Sequence, residues 1–421
     1  MKKLLKVCLV VLVAFTLFGC GSKQEEEVVP EGPVTVTFWH TLTDQHLEAL
    51  NKVIDGFNAE HEGEIIVVAE QKPYEDYDSN LMMAVANGNG PDFVSMYQTN
   101  AAEYLADDLL VDMTPFIEEA YGSTDAWKKA LISEDVYTEA SQFGILNSFP
   151  VSSSSQVLFY NKEMFDALGL EVPTTWEALA DCAAKIHAAY PDAIPFTMDD
   201  ELDDFQGQMT QMGYEYIDMD KKEVVWPKDA TTKLLQWYVD NCDAGNFKLK
   251  ELGTYCSNDY ATGITGMYTG SSAGASYACW GNPWDAVAPI PQAGTKKYIA
   301  NWGGGYVIFK TNEAKEKAAF EFLKYFASPE INAAWAQGFN TIPSYKASYD
   351  TDTFKQYAAT DIAAKAMQQQ SDCMGSLAAC IGSVTVRNEI QKMIRTAVNH
   401  EVTVDQAVET FFTNANAALK G

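Results

Sequence analysis

Between Val34 and Tyr97 the chain switches repeatedly between two hydrophobic periods, and few folds accommodate that. Val34-Thr-Val-Thr-Phe-Trp39 alternates apolar and polar residues, as a strand does. Leu47, Leu50, Val53, Ile54 and Phe57 then recur at helical spacing, with Thr43 or Asp44 available as a cap. Glu64 to Ala69 reads as a second strand. Tyr77 to Asn87 reads as a second helix, ended by Gly88-Asn-Gly90-Pro91, and Asp92 to Tyr97 as a third strand. This β-α-β-α-β order predicts a parallel sheet with helices on its faces.

The same punctuation continues downstream. Pro150 to Lys162 holds four serines, Ser152 to Ser155, followed by the strand-like Val157-Leu-Phe-Tyr160; Asn161-Lys162 then opens a helix. Uncharged hydroxyls need partners when buried, so the serine run predicts a polar crossing where two halves of the molecule meet. Thr174 and Glu177 have capping-box spacing ahead of a helix carrying Trp176, Leu179, Ala183 and Ile186. Helices are also expected from Thr231 to Cys242, from Glu313 to Ala327 and from Thr403 onward. Tyr306 to Phe309 is expected as a strand after Gly303-Gly304-Gly305. Gly263 to Gly274 is rich in glycine and serine, and the proline-bearing Trp280 to Pro291 reads as loop or crossover.

Length and charge bound the function. A chain of 421 residues, 47% hydrophobic, can build two lobes with cores of their own. A net charge of −29 excludes nucleic acid as a partner and disfavours adsorption to anionic lipid. At the N-terminus, Lys2-Lys3 precedes an apolar run from Val7 to Phe18 that is short for a membrane span, and Leu17-Phe18-Gly19-Cys20 is similar to a bacterial lipobox. Residues 1–19 are thus expected to be a lipoprotein signal peptide, Cys20 the lipidated first residue, and 20–33 a polar flexible tether. The remaining six cysteines are Cys182, Cys242, Cys256, Cys279, Cys373 and Cys380; outside the cytoplasm they could pair or stay as buried thiols, and no Cys-x-x-Cys points to zinc or redox chemistry.

Several spaced motifs, in order, carry a resemblance. Gly88-x-Gly90-Pro91-Asp92, Pro150…Tyr160-Asn161-Lys162…Pro173-Thr-Thr-Trp176-Glu177, Phe320 to Glu330, and Arg395…Thr403-Val-Asp-Gln-Ala407 resemble the extracellular solute-binding proteins of ABC importers, in the cluster holding the maltose- and glycerol-3-phosphate-binding proteins. The resemblance implies an α/β, two-lobed periplasmic-binding-protein fold (type II), each lobe a mostly parallel sheet flanked by helices. It implies lobes of 34–150 plus 288–341 and 151–287 plus 342–421, with crossings near Pro150–Ser155, Asp285–Pro289 and Thr341–Ser344. It also implies closure over a solute in the inter-lobe cleft, delivery to permease subunits in the membrane, a monomer, an extracytoplasmic or periplasmic location, and no catalysis or cofactor.

By the same resemblance Trp39, His40, Tyr77, Ser153 or Ser154, Ser271 or Ser272, and Gly304 or Gly305 stand at ligand-contacting places of the glycerol-3-phosphate-binding type. Trp302, Gln98 and Thr341 are expected to contact ligand as well, although Gln98, Thr341 and Cys380 depart from the type: an acid, a tyrosine and a phosphate-binding arginine stand there in it. Without the arginine a bidentate anion clamp is missing, so a sugar or small oligosaccharide is the expected cargo, with glycerol-3-phosphate or a glycerophosphodiester as the alternative. Serine and threonine hydroxyls suit a polyol, and Trp39, Tyr77, Tyr97, Trp284, Trp302 and Tyr306, all beside loop-like segments, are candidates to cover a sugar face. Gly270-Ser271-Ser272-Ala273-Gly274 also fits the nucleophile elbow of serine hydrolases, with Ser272 as nucleophile; such an enzyme needs a downstream histidine, and only His400 follows. The five histidines lack metal-ligand spacing, so no metal is expected.

Overall fold

The computed structural model describes residues 32–73 and 76–421. The signal peptide, Cys20 and nearly all of the tether lie outside the described residues. No described helix is long and apolar enough to cross a membrane.

The opening rhythm folds as its periods dictate. Strands β1 (Val34–His40), β2 (Ile65–Gln71) and β3 (Phe93–Met96) pair in parallel, β1 in the middle. The Asp44–Glu60 helix buries Leu50, Val53, Ile54 and Phe57 of the residues its spacing marked and leaves Leu47 half-buried. Thr43 is its N-cap, without a side-chain bond. The chain then adds β4 (Ser152–Ser153), β5 (Gln156–Asn161), β6 (Ile194–Met198), a short β7–β8 ribbon (Ile217–Asp218, Glu223–Val224), β9 (Phe247–Leu249), β10 (Thr265–Ser271), β11 (Asp285–Ala288), β12 (Ile299–Ala300), β13 (Gly305–Ile308), β14 (Ile342–Pro343) and β15 (Met374–Gly375).

Two principal sheets result. The first runs β13-β3-β1-β2, with only β13 antiparallel. The second runs β11-β5-β10-β6-β9, where β5 opposes both of its neighbours and β10, β6 and β9 are parallel. Each sheet has its own core. Val36, Phe38, Phe57, Phe93, Phe322 and Phe326 build the first; Leu158, Phe196, Phe205, Leu235, Ile390 and Phe411 build the second. A third cluster stacks Phe159 on Tyr268, ring centroids 4.4 Å apart, across the β5–β10 ladder where those residues face each other.

Several local expectations change. The 176–189 helix is capped by Thr175, whose hydroxyl accepts from the Ala178 amide at 3.2 Å, not by Thr174; the box at Thr403–Gln406 forms with both of its bonds. The glycine-rich stretch from Gly263 contains central strand β10. A Cβ at Gly266 would lie 2.9 Å from the Pro195 carbonyl, and one at Gly270 would meet Asp199, so glycine permits the close strand packing. Asp285 to Ala288, read as loop because prolines flank it, is the edge strand β11 of the second sheet. The chain therefore does not leave that sheet near residue 288. It stays with the second core through Ile290 and Ile299 and enters the first sheet only at Gly305, so Asn301 to Gly304 is the crossing segment. The other two crossings pair with each other: β4 lies antiparallel to β14, Ser153 opposite Ile342. All six described cysteines are free thiols.

Candidate functional site

Parallel strands in open α/β sheets end in a crevice at their carboxyl ends, because the chain leaves each strand there to reach a helix. A cleft of about 550 Å³ sits at this place. Trp39 and His40 at the end of β1, Met96 at the end of β3 and Ser271 at the end of β10 line it, and the crossings contribute Ser152, Ser154, Trp302 to Gly304 and Thr341.

Each residue pair that the sequence leaves open sends one member to the cleft, and for the serines of the crossing strand alternation decides which. Successive side chains on an extended segment face opposite sides. Ser152 and Ser154 line the cleft, whereas Ser153 faces a rear hollow of about 250 Å³ with Asn301, Ile342 and Met374. Ser271 lines the cleft, whereas Ser272 is fully buried with its hydroxyl unpaired. Gly304 lines it at φ +51°, whereas Gly305 is pressed so closely to Ser148 that a Cβ there would overlap its hydroxyl. Gln98 does not reach the cleft. It is buried, its Oε1 accepting from Asn147 Nδ2 at 2.9 Å, while the preceding residue, Tyr97, faces the opening and is 42% exposed.

The remaining expected residues are held in defined ways. Tyr77 donates its hydroxyl to the Trp39 carbonyl at 3.2 Å, and Lys72 Nζ sits 4.0 Å from the centroid of the Trp39 ring. His40 Nδ1 accepts from the Leu42 amide, and burial holds its imidazole below the usual pKa, which favours the neutral ring. Burial first, then the neighbouring Asp78 charge, pushes the Tyr77 phenol up, so it stays protonated. Ser154 Oγ donates to the Trp302 carbonyl while the Trp302 amide donates to the Ser154 carbonyl, which fuses two crossings. Thr341 Oγ1 is buried against the cleft with no protein partner. Trp284 stays outside, its indole spent on the Tyr260 carbonyl.

The cleft also holds residues that sequence reasoning passed over. Asp76, Asp78, Ser79 and Asn100 stand at one wall, with Asn100 Nδ2 donating to Asp78 Oδ2 at 3.0 Å. Partial burial holds the Asp78 carboxyl above its usual value, against the pull of the Asn100 bond. Trp335 and Phe339, stacked at 4.7 Å on the 329–339 helix, stand at another. Among the described residues that line the cleft, none is lysine or arginine. Aromatic faces, hydroxyls and two carboxylates suit hydroxyl donors and the apolar face of a ring. The Ser272 hydroxyl is buried without a partner, and His400 is bonded to Asp243 at 2.8 Å, so no bond joins Ser272 to His400 among the described residues.

Known proteins match along this whole frame. Residues 52–362 match the family model described as bacterial extracellular solute-binding protein. The chain is 23% identical to the sn-glycerol-3-phosphate-binding periplasmic protein UgpB of Pectobacterium atrosepticum, over 97% of this chain and 94% of that protein. Among solved structures, the acarbose-binding GacH receptor of Streptomyces glaucescens aligns at TM-score 0.79 and 18% identity, over 92% of this chain and 99% of that one. UgpB of Mycobacterium tuberculosis, in complex with glycerophosphocholine, aligns at TM-score 0.77 and 17% identity, over 93% and 99%. These structural likenesses establish the two-domain α/β binding-protein fold. Because the family model spans well over half of the sequence, the chain is a member of the bacterial extracellular solute-binding protein family.

Proposed function

We propose that this protein captures a sugar or small oligosaccharide in the cleft and hands it to the permease subunits of an ABC importer. The observation that carries the ligand class is the lining: ring faces from Trp39, Trp302 and Trp335, hydroxyls from Ser152, Ser154, Ser271 and Thr341, and the carboxylates of Asp76 and Asp78, without a cation among the described lining residues. A phosphate in such a cleft would face like charge and find no arginine fork, whereas sugar hydroxyls can donate to both carboxylates. Binding is reversible and no residue has a catalytic role. The chain works as a monomer held to the outer face of the cell membrane by a lipid on Cys20. Glycerol-3-phosphate is the second reading, favoured by the names of the relatives that match most of the chain.

A thermal-shift and calorimetric panel with maltotriose, single hexoses, sn-glycerol-3-phosphate and glycerophosphocholine tests both. A ligand that binds only the folded form raises its stability by mass action. A shift with a saccharide and none with the phosphates is expected; a shift with phosphates alone reverses the assignment, and silence across the panel removes it. Mass spectrometry of the mature N-terminus tests the lipid on Cys20.

A further inference from the structure

The crossing from Asn301 to Gly304 is held from both sides by acids. Glu139, on the Glu134–Ser141 helix beside the first core, accepts from Asn301 Nδ2 at 2.5 Å. Asp203, on the Glu201–Gln211 helix of the second core, accepts from the Trp302 indole at 2.7 Å and from Arg387 Nη1 at 2.6 Å. Adjacent residues are thus tied to opposite lobes. Asn301 Oδ1 also accepts from the Gly303 amide at 3.1 Å, so the amide that Glu139 holds in turn sets the turn after Trp302. Trp302, Gly303 and Gly304 all face the cleft.

We propose that Glu139 is a positioning residue of the ligand cleft: through the Asn301 amide it sets how Trp302 is presented to the solute, against the opposing anchor of Asp203. Glu139 touches no cleft surface itself. It is buried, and that burial pushes its carboxyl up to about 7, with the Asn301 bond pulling down and the Asp135 charge adding to the rise. Tyr298 also faces it, ahead of β12, and stands in turn beside the Asp203–Arg387 pair. A proton gained or lost at Glu139 changes the Asn301 bond, and the change reaches Trp302 one residue on.

The inference rests on the reading of the cleft as the solute site, yet its test needs no solute, so each can fail alone. The full chain is labelled with 5-fluorotryptophan, and the Trp302 fluorine resonance is assigned by its loss in Trp302→Phe or its displacement in Asp203→Asn. In the unmodified chain this resonance should shift by more than its linewidth on titration from pH 5 to 9, with a midpoint near 7. The shift should vanish in Glu139→Gln, which keeps shape and hydrogen bonding without the charge. It should also vanish in Asn301→Ala, which keeps Glu139 but cuts the link. A resonance that does not titrate overturns the proposal, as does a titration that persists in Glu139→Gln and so belongs to Asp200, a carboxyl beside Asp203 that burial also pushes up. Should Asn301→Ala fail to fold, the isosteric Glu139→Gln arm decides.

Discussion

Trp335 donates its indole N–H to the hydroxyl of Ser152 at 2.9 Å, and both residues line the cleft. The bond joins the 329–339 helix to the first crossing strand. Asn332 reinforces it one turn earlier, donating Nδ2 to the Val151 carbonyl at 2.7 Å and accepting from the Ser348 hydroxyl. The crossing is therefore held by side chains from a helix more than 170 residues away in sequence, as well as by its own pairing with β14.

Ser152→Ala leaves the Trp335 N–H buried without a partner. Stranding a buried donor costs about 1–3 kcal/mol, more than the net value of a hydrogen bond made in water's presence. Trp335→Phe removes the donor as well but opens space and leaves a smaller ring to stack on Phe339. Urea denaturation should place Ser152→Ala about 1–3 kcal/mol below the parent. In a double-mutant cycle the two substitutions should be less costly together than the sum of each alone; additivity would mean that the bond contributes nothing.

The glycine run supplies a sharper contrast. Gly305 begins β13, and its Cα faces Ser148 with no room for a methyl group; a Cβ at Gly304 would meet the Met96 carbonyl at 3.4 Å, ordinary van der Waals contact, but the residue sits at φ +51°. Gly305→Ala should force the 148–149 segment away from β13 and break the Phe149–Tyr306 bridge. Gly304→Ala should cost only the left-handed backbone penalty, about 1–2 kcal/mol. Circular-dichroism melts should show Gly304→Ala folded with a modestly lower midpoint and Gly305→Ala poorly folded. Equal midpoints would remove the steric distinction.

The division between what the sequence reveals and what it hides follows physical range. The helix burying Leu50, Ile54 and Phe57 and the capping box at Thr403 are local, and their periodicity or spacing names them. β11 and β10 are strands because of their neighbours: Asp285-Ala-Val-Ala and a glycine-bearing run carry little strand propensity but complete ladders on both sides of β5. In the cleft, each of the pairs Ser153/Ser154, Ser271/Ser272 and Gly304/Gly305 sends one member to the lining and one away, and for the serines of the crossing the deciding rule is strand alternation. It could have been applied in advance, since Ser152, Ser153 and Ser154 cannot all face one way. Gln98 was misplaced because one residue separates the wall of the cleft, Tyr97, from the interior behind it. Trp335 and Phe339 carry no mark in the sequence, since no local signal distinguishes a core aromatic from one at a cleft edge. Asp76 and Asp78 were lost among many acids whose positions only the fold reveals.

His46 predicts a pH dependence with a definite sign. It is buried on the 44–60 helix, stacked on Phe339 at 3.9 Å and edge-on to Tyr277, with its Nε2 3.3 Å from the hydroxyl of Ser276. Gln45 beside it donates to the Ser276 carbonyl, so this contact bridges residues of the two lobes. Burial pushes the His46 imidazole down to about 4, against the raising influence of Asp44 and the Ala273 backbone. The unfolded chain takes up a proton near 6.5 and the folded chain does not. The stability this group contributes is therefore complete above about 6.5 and is lost as pH falls toward 4, by at most about 3 kcal/mol. Thermal melts at pH 7.5, 5.5 and 4.5 should show the midpoint of the parent falling faster than that of His46→Asn. Parallel curves for the two would show that His46 is protonated in the folded state.

Charge at the cleft wall gives the prediction that bears most directly on the cargo. Asp78 is oriented by the Asn100 amide and stands beside Tyr77, so its free carboxylate oxygen is available to a sugar hydroxyl. A hydrogen bond to a charged group contributes about 1.5–3 kcal/mol, and each 1.4 kcal/mol is tenfold in affinity. Asp78→Asn should therefore weaken saccharide binding by roughly 10- to 100-fold in calorimetry while leaving the melting midpoint of the unliganded protein almost unchanged, since the amide oxygen of the substituted side chain can still accept from Asn100. The same substitution lowers the repulsion toward an anion, so any affinity for sn-glycerol-3-phosphate should rise. Opposite movement of the two affinities is the signature of a cleft built for a neutral solute; a loss of phosphate binding in Asp78→Asn, with saccharide binding untouched, would place the carboxylate on a glycerol hydroxyl and favour the phosphate reading.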